Sequence, residues 1–119
     1  MDDPEELRLV EEVLKEGLSG CVEWDGRSAE KVRGDRELLG LTPEWIKSEV
    51  IRSVRSGRAR IKQKPEKRPE YRIHYRFYYK VVLRHRDFRH GLFVEIRLVD
   101  DDREYPQVLL VNAHPQSKT

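Results

Sequence analysis

The apolar residues of this 119-residue chain change period at Gly57, and that change limits what it can build. Before Gly57 they recur at three- and four-residue spacings; after it they alternate. The first pattern lays apolar side chains along one stripe of a helix, and the second lays them on one face of a strand. Helices followed by strands predict an α+β fold: two or three N-terminal helices packed on a twisted antiparallel sheet of about four strands. One hydrophobic core suffices at this length. Residues 1–119 are therefore expected as a single domain, with 1–57 mainly helical, 58–114 an antiparallel sheet and 115–119 a flexible tail.

Local signals place the elements. Asp2 or Asp3 can cap a helix over 4–17, Pro4 suits its first turn, and Leu7, Val10 and Leu14 mark its inner face. A short extended piece at Cys21–Trp24 precedes the turn dipeptide Asp25-Gly26, and a weakly helical segment from Ser28 to Leu39 is interrupted by Gly34. Thr42 and Pro43 open a third helix over 43–56, with Ile46, Val50, Ile51 and Val54 at core spacing. Strand character begins at Arg58–Lys62, and a loop with two prolines is expected at Lys64–Pro69.

The segment Tyr71–Leu83 alternates without a break. Tyr71, Ile73, Tyr75, Phe77, Tyr79, Val81 and Leu83 are expected in the core, while Arg72, His74, Arg76, Tyr78, Lys80 and Arg84 share the opposite, cationic face. Run straight through to Arg84, such a strand would span about 46 Å at roughly 3.3 Å per residue, too long for a domain of this size, so a bend or bulge near Tyr78–Val82 is expected. Leu92–Val99 reads as its hairpin partner, Asp100–Pro106 as an acidic turn facing water, and Val108–Ala113 as a buried last strand ending at His114-Pro115.

Charge adds a second constraint. Residues 52–90 hold fourteen Lys and Arg against three acids, whereas residues 1–51 hold seven against fourteen, so a formal net charge of +2 conceals a dipolar chain. A cationic sheet face concentrates polyanions, which makes nucleic acid the expected partner. A solvated or internally paired surface and an acidic protein partner are the competing readings. The 37% apolar content, with ten aromatic residues, argues against a disordered chain. No long apolar run or leader is visible and Cys21 has no second cysteine to pair with, so a cytoplasmic protein without membrane association is expected.

All four histidines, His74, His85, His90 and His114, fall in the strand-rich half. Imidazole can take the proton of a ribose 2′-hydroxyl or return one to a departing 5′-oxygen, while lysine and arginine offset charge on the phosphorane-like transition state. Such chemistry needs no metal or cofactor, and no cysteine or histidine spacing here signals a zinc site. His74, His114 and Lys80 are the candidate catalytic residues; Lys62, Lys64, Arg72, Arg76, Tyr78 and Arg84 are the candidate nucleic-acid contacts.

Residues 28–114 resemble, at the level of pattern, the RelE-type toxins and the wider barnase, EndoU, colicin and RelE-like group of small metal-independent ribonucleases. The likeness rests on the Leu39-Gly40-Leu41-Thr42-Pro43 entry into a helix ending at Gly57, on Ile61-Lys62, on the Tyr71–Leu83 strand, and on Phe93–Val99 and Val108–His114. It implies a toxin-like endoribonuclease with Lys62, Arg72, His74, Lys80 and His114 on the concave sheet face, and an antitoxin as protein partner. A non-catalytic nucleic-acid-binding module and an immunity- or antitoxin-like interaction domain remain open alternatives. The acidic first helix, with Glu5, Glu6, Glu11 and Glu12, is expected to face the cationic sheet of the same molecule or of a second copy and limit access to it.

Overall fold

A computed structural model describes residues 2–117. Three helices precede the main strands: α1 (Pro4–Glu16), α2 (Gly26–Gly34) and α3 (Pro43–Arg55), with a short strand β1 (Val22–Trp24) between the first two. Then follow β2 (Lys62–Pro65), the single turn α4 (Pro69–Arg72), β3 (Phe77–His85), β4 (Phe88–Asp100) and β5 (Gln107–Pro115). The α+β architecture follows the sequence, but the sheet has five strands in the order β1-β5-β4-β3-β2, and β1 runs parallel to β5. The sheet is therefore mixed, its β2–β5 part alone being antiparallel. Three residues bounded by turns carry no period from which the direction of β1 could be read.

Each helix start is chemically marked. Asp3, Asp25 and Thr42 accept backbone N–H groups of the first turns of α1, α2 and α3, and Pro4 and Pro43 occupy first-turn positions where no amide hydrogen is needed. Gly34 closes α2, and Arg36–Leu38 continues as a 3-10 turn in place of the single helix expected to Leu39. α1 and α3 bury Val10, Val13, Leu14, Ile46, Val50 and Val54 against the inner faces of β3, β4 and β5, which supply Tyr79, Val81, Leu83, Leu92, Val94, Ile96, Val108 and Leu110. Tyr79 is fully buried and its hydroxyl donates to Glu6 of α1 at 2.8 Å. The first helix thus packs on the inner side of the sheet and does not lie over the cationic face of its own molecule; of that expected face only Arg76 is reached among the described residues, by Asp3 and Glu6.

The long alternating segment does not form one strand. Pro69 opens α4, His74 and Tyr75 donate backbone hydrogen bonds to Tyr71, and pairing begins only at Phe77. The longest dimension of the molecule is 36 Å, too short for the 46 Å ribbon. The break falls at Tyr75-Arg76, ahead of the expected bend, and β3 pairs continuously with β4 from Tyr79 to Leu83. Tyr71 and Ile73 leave the core in consequence, Ile73 being 81% exposed. The Lys64–Pro69 loop also starts later than expected, because β2 extends to Pro65; as an edge strand it can accommodate a proline at its end. At the other terminus, Pro115 completes β5 and Gln116 donates to Gly91, so the expected flexible tail begins inside the ladder; its Lys118 and Thr119 lie outside the described residues. Among the described residues no helix is long and apolar enough to cross a membrane.

Candidate nucleic-acid interface

The side of the sheet away from α1 and α3 carries the alternate residues of each strand. β2 pairs Lys62 with Lys80 and Lys64 with Tyr78. β3 in turn pairs Lys80 with Glu95 and Val82 with Phe93, and β4 pairs Phe93 with His114 and Glu95 with Asn112. The row from Lys62 through Lys80 and Glu95 to Asn112 thus crosses four strands, with Phe93 and His114 beside it. Burial pushes the Lys80 ammonium below the ordinary lysine range, and the like charges of Lys62 and Lys64 push it further the same way. Three lysines close enough to repel one another, without a carboxylate bonded to any of them among the described residues, form an anion-attracting patch. Lys80 Nζ also lies 5.5 Å from the centre of the Phe93 ring, whose own plane is stacked on His114 at 4.6 Å and 20°.

The His114 ring is oriented by its neighbourhood. Nδ1 lies 3.0 Å from the carbonyl oxygen of Pro115. A carbonyl oxygen only accepts, so in the neutral ring Nδ1 carries the proton and Nε2 keeps its lone pair. Nε2 has no hydrogen-bond partner among the described residues. In that tautomer Nε2 is the ring's acceptor nitrogen.

Three of the residues expected on this face lie elsewhere because the strand breaks. Arg72 sits on α4, and His74 lies in the turn behind it, lining a shallow hollow with Glu6, Asp100 and Asp101. His114 pairs with Phe93, six residues along β4 from Val99 in that hollow, so about 20 Å of strand separates the two imidazoles. They do not converge. Arg76 is held by Asp3 at 2.5 Å and by Glu6 at 3.5 Å, which raise its affinity for its proton and tie it to α1. Lys62, Lys64, Tyr78 and Lys80 are brought together on paired strands; His114 shares their face two strands from Lys80, with the Phe93 ring between, and Arg84 is exposed on the same alternation. His85 is instead packed between Trp45 and Phe88 and accepts from the backbone of Asp87, and His90 is exposed.

The sequence reading missed a buried ionic quartet next to this patch. Glu66, fully enclosed, accepts from Arg68 at 2.9 Å and from Arg97 at 2.7 Å; Glu95 accepts from the same two arginines at 2.6 and 2.9 Å. Burial opposes the Glu66 charge, yet the bonds from Arg68 and Arg97 prevail and lower its pKa to about 2. Tyr71 and Tyr75 cover the Arg97 guanidinium at 4.2 and 5.1 Å, and Arg68 lies 5.4 Å from the Tyr78 ring. Both tyrosines were expected in the apolar core; they roof this quartet instead. The alternation of Phe93, Glu95 and Arg97 on the outward side of β4 was the available signal. Two opposite charges two residues apart, facing the same way, require partners when a chain segment covers them.

Beyond the quartet, a cavity of about 1020 Å³ opens between α2 and the outward faces of β4 and β5, with His114 on its wall. Comparison with protein-family models, curated proteins and solved structures returned no match to this chain.

Proposed function

We propose that the protein is a metal-independent endoribonuclease of the toxin-like kind, which binds single-stranded RNA across the outward sheet face and cleaves it beside His114. One arrangement carries the reading: Lys62, Lys64 and Lys80 lie close together on the outward face, and the Phe93 ring joins Lys80 to the His114 imidazole, whose Nε2 has no partner among the described residues. The lysines attract successive phosphates. Phe93 holds the imidazole plane, and Tyr78 offers a ring to an unpaired base.

The residues suit transfer of the phosphoryl group to the neighbouring ribose oxygen. His114 Nε2 takes the 2′-hydroxyl proton as the oxygen forms its bond to phosphorus. The bond from phosphorus to the 5′-oxygen breaks, and that oxygen takes a proton from the Lys80 ammonium, whose lowered proton affinity makes it a better donor than an ordinary lysine. The products are a 2′,3′-cyclic phosphate and a 5′-hydroxyl; return of the proton from His114 to Lys80 through solvent resets the site. Lys62 and Lys64 offset the charge that builds on the non-bridging oxygens.

The distance of His74 from this centre favours a second reading, a non-catalytic RNA-binding module, because the face carries one imidazole where two were expected. End-labelled single-stranded RNA incubated with the protein in EDTA separates the two. Cyclic-phosphate ends that disappear in His114→Ala and Lys80→Ala, and persist in His74→Ala, support the nuclease. Salt-sensitive retention without cleavage supports the module, and neither cleavage nor retention refutes both.

A further inference from the structure

The wide cavity beside the lysine patch is not needed to hold a phosphate backbone. Its sheet floor mixes Val99, Leu109 and Val111 with the polar Glu95, Arg97 and Asn112; Tyr71 and Tyr75 also line it, and the α2 side supplies Arg27 and Lys31 together with Asp25 and Asp35. A second observation points to a ligand. Arg97, only 4% exposed, borders this cavity, and its Nη1 is buried without an acceptor among the described residues although Nη2 serves both Glu66 and Glu95. An arginine nitrogen enclosed by protein and left unbonded is costly, so a donor held this way suits an acceptor delivered from outside. Tyr71, which covers the Arg97 guanidinium at 4.2 Å and lies 5.0 Å from that of Arg68, is still 39% exposed and so presents part of its ring to the cavity.

We propose that this cavity is a nucleobase subsite that takes a guanine or uracil, stacked on Tyr71, with its exocyclic oxygen accepting from Arg97 Nη1. The proposal rests on the RNA reading above and names the base it selects. His114 ties the two parts together, since it lines the cavity and also stacks on Phe93 in the lysine patch. A strand with its phosphates on Lys62, Lys64 and Lys80 can place the base flanking the scissile bond in the cavity, where Arg27 and Lys31 meet the next phosphate. Adenine presents an amino group where guanine presents an oxygen. Two facing donors would leave Arg97 unpaired, and this is the kind of mismatch that buried polar sites reject strongly.

Titration of the full chain with GMP, UMP and AMP, followed by NMR, tests the subsite without requiring cleavage. GMP and UMP should bind at least fivefold more tightly than AMP and perturb Val99, Val111 and Tyr71. Tyr71→Ala should weaken GMP about tenfold, the loss of one stacking face, with an unchanged thermal melt showing that the fold survives. The double variant Arg27→Ala with Lys31→Ala should weaken all three nucleotides alike. Equal binding of the three nucleotides, or perturbations confined to the lysine patch, would overturn the proposal. GMP selectivity in a protein that never cleaves RNA would uphold the subsite and count against the nuclease alone.

Discussion

Replacing Glu66 by glutamine tests how strongly the buried quartet holds the outward face together. The Glu66 side chain is wholly enclosed and receives bonds from Arg68 and Arg97 at 2.9 and 2.7 Å. Its pKa falls from 4.5 to about 2 on folding, and at about 1.4 kcal/mol per unit that corresponds to roughly 3 kcal/mol of stability. This agrees with the lower end of the ~3–5 kcal/mol cost of breaking a buried pair, as expected when Arg68 is partly solvated. At pH 7 the urea midpoint of Glu66→Gln should therefore lie about 1.5 M below that of the parent, for a slope of roughly 2 kcal/mol per M. The sign with pH is fixed by the lowered folded-state value. The carboxylate contributes fully above pH 4.5 and its contribution disappears as pH falls through about 2, so the gap between parent and variant should close over that interval. Coincident urea curves at pH 7, or a gap that stays constant down to pH 2, would refute this reasoning.

Gly91 has φ +85°, and a Cβ there would lie 2.7 Å from the Leu83 carbonyl oxygen; Gly91→Ala should destabilise the β3–β4 hairpin by more than about 2 kcal/mol, measured by thermal circular dichroism. Lys62→Ala with Lys64→Ala should flatten the plot of log affinity for single-stranded RNA against log salt by about 1.4, from roughly 0.7 per lost phosphate contact. The same double variant should raise the Lys80 titration seen in NMR of its ε-methylene, because two like charges are removed. Deleting residues 2–20 removes Val10, Val13 and Leu14 from the core; circular dichroism should show loss of the folded state, where a helix lying over the cationic face would have left the fold intact and tightened RNA binding.

The helices were legible because their signals are local: Thr42 and Pro43 announce α3, and Asp3 and Pro4 announce α1. The period-two runs of β3 to β5 likewise survive in the structure, and with them the placement of Lys62, Lys64, Lys80 and His114 on one face. Tyr71–Tyr75 shows where periodicity misleads. Its alternation continues that of β3, yet Pro69 starts a helical turn and Arg97 offers its tyrosines a buried cation. Alternation records which residues could share a face, and a competing partner far along the chain, here Arg97, decides whether they do. Arg76 illustrates the same point with charge: Asp3 and Glu6 claim it from the far end of the sequence. The helical turn opened by Pro69 takes Arg72 and His74 away from the candidate site, and a long-range ion pair, invisible in local spacing, takes Arg76.

Mapping a bound single-stranded oligonucleotide by NMR tests the assignment of the outward face most directly. Perturbations should cluster on Lys62, Lys64, Tyr78, Lys80, Phe93 and His114 and spare His74 and Arg76. Perturbations centred on His74 and Arg76, or no change at His114, would contradict it.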